Sequence, residues 1–382
     1  MELVFGIVLG LLILVFLVVV HELGHAIVAR RNGVVVEEFG IGFPPRAWAK
    51  KLKNGVLFTL NWLPLGGFVK LQGEHDSANK KGDYGAATYW QKTRILLAGV
   101  AINWFVAAGL LSILAWTGLP KILPNQFSVA GDTTIVKQPV EVIEVSKDSP
   151  AANAGLKVGD EILRFAGEPV PTAEVLSEKT KEKKGQSVEV IYSRGGVESS
   201  VSVALRANND NKQGYLGVGS GQREQIQTTW SAPIVGIVTT GQFTAVTFQG
   251  LGDLVVNIVK GAVLQFSPDK ATREQAHADL STAGNSVAGP IGILGTIFPA
   301  AEQAGLTQLI FLTAIISLTL AVMNVLPIPA LDGGRWFVMT VFRLRKKTLT
   351  KEKEEQIQGT GFLVLMALVV VVTVADVSKL FR

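Results

Sequence analysis

The sequence predicts a polytopic α-helical membrane protein of about four transmembrane helices, with a membrane-associated β-hairpin and one hydrophilic α+β domain. Three observations predict this. Of the 382 residues, 48% are hydrophobic, and the mean hydropathy of +0.35 exceeds that of ordinary soluble chains. Apolar runs of spanning length recur along the chain. Between the second and third of them the sequence turns hydrophilic and alternates like short strands. Cysteine is absent, which removes disulfides and thiolate ligands and leaves histidine and carboxylate as the strong metal ligands. The net charge of +5 is small for this length and gives no basic footprint for nucleic acid.

Residues 1–30 form the first expected span. Leu3 to Val20 carries no charge and would rise about 27 Å as a helix, close to the hydrocarbon thickness of a bilayer. It lacks the basic flank and small-residue cleavage site of a signal peptide, so a retained helix is expected. No Gly or Pro separates Val20 from His21-Glu22-Leu23-Gly24-His25, so the helix should continue through the histidines. Spacing of i, i+4 puts His21 and His25 on one face. In this HExxH pattern two imidazoles bind zinc and the intervening Glu22 is the general base. The motif is short and also arises by chance. Here it adjoins lipid, where ionisable groups are costly and mark function.

Residues 31–94 are basic on balance and begin just after Arg30 and Arg31, the mark of a cytoplasmic flank. Within them, about 56–72 (VLFTLNWLPLGGFVKLQ) reads as a hairpin or small sheet turning at Pro64-Leu65-Gly66-Gly67. Its apolar character suits the membrane boundary beside the first helix. Residues 95–118 hold the second span, with Gly99 and Asn103 one turn apart as packing contacts near the site.

Residues 119–227 form the hydrophilic domain. Ser149 to Asp160 (SPAANAGLKVGD) resembles the PDZ signature SPAxxAGLxxGDxI, and an extended peptide is the ligand such a domain takes by strand addition. Residues 228–305 have helical spacing interrupted by Pro233, Gly236, Gly241, Gly250 and Gly252, which predicts amphipathic helices at the outer interface and a linker. The third span, 306–334, ends in Asn324-Val325-Leu326-Pro327-Ile328-Pro329-Ala330-Leu331-Asp332-Gly333-Gly334. Arg335, Arg343, Arg345, Lys346 and Lys347 mark a second cytoplasmic loop over 335–360, and 361–378 is the fourth span.

Four spans make a testable parity. With Arg30 to Arg94 inside, the domain lies outside and the third span returns Asp332 to the side of His21 and His25. One extra crossing within 228–266 would break the site, and two would restore it. Two histidines and one carboxylate leave a fourth zinc position for water, as catalysis requires.

HELGH, LPLGGFVKLQGE, WQKTRILLAGVAIN, one PDZ signature, GPIGI and NVLPIPALDGG occur in this order across nearly the whole chain. In this the chain resembles the site-2 protease family of intramembrane zinc metalloproteases, among them the bacterial single-PDZ members. The resemblance implies zinc ligands His21, His25 and Asp332 and the base Glu22. It also implies that Asn324 helps hold substrate and that the hairpin, through Gly66, Gly67 and Phe68, presents it as an added strand. One departure is Gly99-Val100-Ala101-Ile102-Asn103, where the family usually has proline at the second position. The expected partners are transmembrane protein substrates, such as anti-sigma factors or signal-peptide remnants, and the lipid bilayer. The expected location is the cell (inner) membrane with the PDZ domain extracytoplasmic. Two rival classes are a membrane zincin with its site in the aqueous phase and a non-catalytic PDZ scaffold. The first would draw its third ligand from a soluble helix, and the second would need neither HELGH nor LDG.

Overall fold

A computed structural model describes residues 2–209, 214–285 and 288–380; Met1 of the first expected span lies outside them. Helix α1 (Glu2–Arg31) runs unbroken through HELGH. Strands β1 (Val36–Lys51) and β2 (Leu57–Leu71) follow, then helices α2 (Tyr89–Leu96) and α3 (Ala98–Thr117). The expected small sheet is present and larger than a hairpin over 56–72. Glu38–Ile41 lies between Gly67–Lys70 on one side and Leu57–Leu60 on the other, and Leu57–Leu60 also pairs with Trp48–Lys51. The chain doubles back at Gly66, whose φ of +148° and packing against the Phe43 ring suit a residue without a side chain. Gly67–Lys70 is thus an edge segment with no further strand beside it among the described residues.

Residues 115–232 cluster as a separate unit. It contains β3 (Leu119–Pro120), β4 (Thr134–Val145), α4 (Pro150–Asn153), β5 (Glu161–Phe165), β6 (Glu168–Pro169), α5 (Ala173–Glu182), β7 (Ser187–Arg194), β8 (Val197–Ala204) and β9 (Val218–Gln227). The sheet order is β3-β9-β4-β5-β7-β8, with β6 paired to β5. Val140, Val142, Ile162, Phe165, Leu176 and Val190 fill its core. The SPAANAGLKVGD stretch supplies α4, which Ser149 caps through the Ala152 amide, and Asp160, which Arg194 grips at 2.6 and 2.8 Å.

The other unit resumes with α6 (Ala232–Leu264), α7 (Lys270–Asn285), α8 (Pro290–Gly292), a π-helical turn (Ile293–Ile297) and α9 (Phe298–Gln303). It ends with α10 (Leu306–Val325), α11 (Asp332–Leu344) and α12 (Lys351–Leu380). Among the described residues five helices, rather than four, are long and apolar enough to cross a membrane, and α6 is the addition. The glycines that suggested breaks do not break it. Pro233 sits in its first turn, where no backbone donor is needed. Gly236 lies against α3, where a Cβ would come within 2.2 Å of Ser112 Oγ and 2.5 Å of its backbone. Thr240, Thr244 and Thr247 return their hydroxyls to carbonyls one turn back at 2.7–2.8 Å, which satisfies these three donors in an apolar setting. Trp104 Nε1 donates to Thr244 Oγ1 at 3.1 Å. Since Gly236 meets Ser112 and Thr244 meets Trp104, α6 runs antiparallel to α3. It then meets α7 in a hairpin, with Gly261 beside Leu280 and the Ala276 carbonyl.

Candidate active site

The site begins with the spacing on α1. His21 and His25 are buried and their Nε2 atoms lie 3.1 Å apart. From the first turn of α11, Asp332 Oδ2 comes within 3.1 Å of His21 Nε2 and 3.2 Å of His25 Nε2. All three ligand atoms lie within 4.8 Å of one another. That turn is set by the chain before it. Gly333 and Gly334 press onto the backbone of Val325 and Ile328, where an added Cβ would fall 2.1 and 1.9 Å from their carbonyl oxygens. The two glycines therefore permit the tight return that follows the double-proline break.

Helix α3 closes the opposite side. A Cβ on Gly99 would lie 2.5 Å from His25 Nε2 and 2.6 Å from His21 Nε2, so any side chain there would occupy the point on which the imidazoles converge. Gly24 similarly lets α1 approach the Ala98 carbonyl. Each imidazole is steered through its other nitrogen. His25 Nδ1 is 2.7 Å from the Ile95 carbonyl, and His21 Nδ1 is 3.4 Å from the Asn103 amide nitrogen. The Asn103 Oδ1 is buried and unpartnered. A half-turn of that amide would bring the oxygen to the His21 Nδ1 hydrogen, satisfying both groups. With both Nδ1 atoms protonated, both Nε2 lone pairs face Asp332. Two neutral imidazoles, each oriented by a second partner, and a carboxylate suit a zinc ion.

Glu22 lines a cavity of about 100 Å³ together with His25, Asp332, Glu74, Tyr84 and Arg335. The edge segment reaches it, for the Cβ position on Gly67 is 3.4 Å from Glu22 Cγ. Phe68 lies next along that edge with its ring over Gly40, and Gly66 lies at the turn. Asn324 does not join the cluster, since its amide donates to the Leu320 carbonyl within α10 at 3.0 Å.

Other groups belong to the site without a local sequence signal. Arg335, expected as a surface charge of a cytoplasmic loop, is mostly buried and held by Glu74 and Glu354. Its burial opposes the charge, and Tyr84, Glu74 and Glu354 more than offset it, holding the guanidinium above its ordinary range. Burial likewise pushes the Tyr84 hydroxyl well up, so it stays a neutral phenol. The one available signal was spacing: Arg335 stands three residues after Asp332, on the same side of α11.

Residues 9–368 match the family model for peptidase family M50, the site-2 protease family. This chain belongs to that family. The site-2 protease is 30% identical to a Clostridium perfringens protein bearing a zinc-metalloprotease name, over 97% of this chain and 98% of the other. It is 26% identical to the zinc metalloprotease RasP of Geobacillus kaustophilus, with 96% of each chain covered. It is 25% identical to the regulator of sigma-W protease RasP of Bacillus subtilis, again over 96% of each. A solved PDZ domain from Listeria monocytogenes matches 25% of this chain and 93% of its own at 24% identity, with a TM-score of 0.20. The site-2 protease is accordingly a membrane-integral zinc metalloendopeptidase.

Proposed function

We propose that this enzyme cleaves peptide bonds within transmembrane segments of membrane proteins, with zinc held by His21, His25 and Asp332 and Glu22 as the general base. The observation that carries the reading is the meeting of Asp332 with two histidines more than 300 residues earlier, at the foot of helices of spanning length. Bound there, zinc would supply Lewis acidity to the scissile carbonyl and acidify its water. Glu22 takes the proton from the attacking water and returns it to the leaving amine. The Ile95 carbonyl and Asn103 hold the imidazoles so that neither ligand is lost to rotation.

A helical substrate hides its amides in i→i−4 bonds and must unwind before it can be cut. The Gly67–Lys70 edge offers backbone groups to an unwound strand beside Glu22, through Gly66, Gly67 and Phe68. This selects segments whose helices are already weak, as in anti-sigma factors or signal-peptide remnants. Asn324, at the end of α10, is a further substrate contact in this reading once the segment is extended. The basic residues of 30–94 support a topology in which the metal-bearing end of α1 faces the cytoplasm of the cell membrane and the PDZ-like domain lies outside. The polar α7 is not among the helices apolar enough to span, so the parity that Asp332 requires calls for α6 and α7 to enter and leave on the outer side as a hairpin. A membrane zincin with an aqueous site is less well supported, because its third ligand would come from a soluble helix.

The test uses the full chain in micelles with a purified single-pass substrate. Glu22→Gln should retain one zinc per chain and lose cleavage. Cleavage at the wild-type rate by that variant would remove Glu22 from the chemistry.

A further inference from the structure

The cavity beside Glu22 is separated from a wider cleft of about 900 Å³ by Glu74 and Arg335, which line both spaces. Arg335 Nη1 donates to Glu74 Oε1 at 2.8 Å and Nη2 to the Glu74 carbonyl at 2.5 Å, while Nε donates to Glu354 Oε1 at 3.0 Å. The guanidinium also stands over the Tyr84 ring, 4.8 Å from its centre. One side chain thus ties three segments together: the first turn of α11, the tail of the small sheet, and the first turn of α12. The ties continue outward. The other oxygen of Glu354 accepts from the Asp76 amide at 2.8 Å, and the Asp76 carboxylate pairs with buried Lys92 at 2.5 Å.

On this side the turn that carries Asp332 is tied, among the described residues, only to α12 and to the tail of the small sheet. Leu331 occupies the N-cap position and gives no side-chain cap to α11. The glycines fix the turn against Val325 and Ile328, on the face away from the cavity. Toward the wide cleft the turn is held by the Arg335 fork and, two residues before Asp332, by the Ala330 amide, which donates to Gln358 Oε1 of α12 at 2.6 Å. A forked guanidinium suits this because its donors are rigid and its charge is permanent. A carboxylate ligand displaced by a few tenths of an ångström would no longer meet both imidazoles at equal distance.

We propose that Arg335 is a positioning residue for the metal centre. It clamps the Asp332 turn against Glu74 and Glu354 and so makes zinc affinity depend on where the first turn of α12 sits. The inference rests on Asp332 being a zinc ligand, and the experiment separates the two claims.

Zinc affinity is measured on the full chain in micelles by competition with a chromophoric chelator, for wild type, Arg335→Gln, Arg335→Lys, Glu354→Gln and Asp332→Asn. Arg335→Gln should raise the zinc dissociation constant about 10- to 100-fold, the usual effect of losing an outer partner of a ligand. Arg335→Lys, a point charge without the fork, should recover part of the loss, and Glu354→Gln should show a smaller rise. Excess zinc should restore cleavage to Arg335→Gln, which a base mutant such as Glu22→Gln cannot match. If Arg335→Gln binds zinc as wild type does while Asp332→Asn loses it, the clamp is overturned and the ligand assignment stands. If Asp332→Asn binds zinc normally, the ligand assignment itself falls. Should Arg335→Gln not fold, Glu354→Gln decides: weakened zinc supports the clamp, and wild-type affinity overturns it.

Discussion

At the scale of single residues, the site is governed by what cannot be larger and what cannot turn. Gly99 is the sharpest case, because a methyl there would sit 2.5–2.6 Å from the Nε2 atoms of both His21 and His25. Gly99→Ala should therefore lower zinc affinity by about 10- to 100-fold or more, read by metal content after dialysis. Normal zinc in that variant would mean that the imidazoles converge elsewhere. Glu22→Gln differs in kind, since it keeps every ligand and removes only a proton acceptor. The expected loss is about 100- to 10,000-fold in cleavage rate with zinc unchanged, measured in the same preparation. Asn103 meets His21 only at Nδ1, the nitrogen away from Asp332, so in the proposed centre it steers rather than ligates, and its place one turn after Gly99 reads in sequence as mere packing.

At the scale of elements, helix α6 is where periodicity and glycine signals disagreed. Glycines in a soluble helix cost stability, and here Gly236 is where α6 and α3 touch. Gly236→Val should destabilise the pair by about 1–3 kcal/mol, read as a lower unfolding midpoint in micelles. An unchanged midpoint would mean that α6 does not pack there. In the unit of residues 115–232, burial disfavours the Asp160 charge, but Arg194 and the Lys157 amide outweigh it and hold the pKa below the ordinary carboxylate value. A depressed pKa contributes stability that is present above the unfolded value of about 3.9 and lost as pH falls below it. Hydrogen-exchange protection factors across β5 and β7 should thus be high at neutral pH and fall below about pH 4. In Asp160→Asn that fall should be blunted; an identical pH profile of protection in the variant would exclude this pair as its source.

At the scale of the whole molecule, what was legible in the sequence is what repeats or stands in one short run. HELGH showed itself because 3.6-residue spacing puts two imidazoles on one face. Asp332 could be found only by counting crossings. The Glu74–Arg335–Glu354 fork was hidden apart from the spacing of Arg335 from Asp332, because its members are separated by up to 280 positions and each looks like an ordinary surface charge. The β1 strand was hidden for a related reason, as its pairing with β2 is long-range and doubled. The unit of residues 115–232, which carries the PDZ-like signature Ser149–Asp160, follows α3 in the chain. This motivates the hypothesis that it screens substrates by the size of their outer portions. Removing about residues 132–225 should let long-ectodomain substrates be cut as fast as trimmed ones, in paired assays. Unchanged discrimination between the two would refute it.

The central claim is that a carboxylate from the far end of the chain completes the zinc centre of α1. Zinc K-edge absorption on the full chain in micelles tests it most directly, comparing wild type with Asp332→Ala. The expected wild-type shell is two imidazole nitrogens with oxygen donors at about 2.0–2.2 Å and no sulfur. Asp332→Ala should lose the zinc or replace a carboxylate oxygen by water, with the imidazole scattering intact in whatever metal remains. An unchanged shell and full zinc occupancy in that variant would contradict the account.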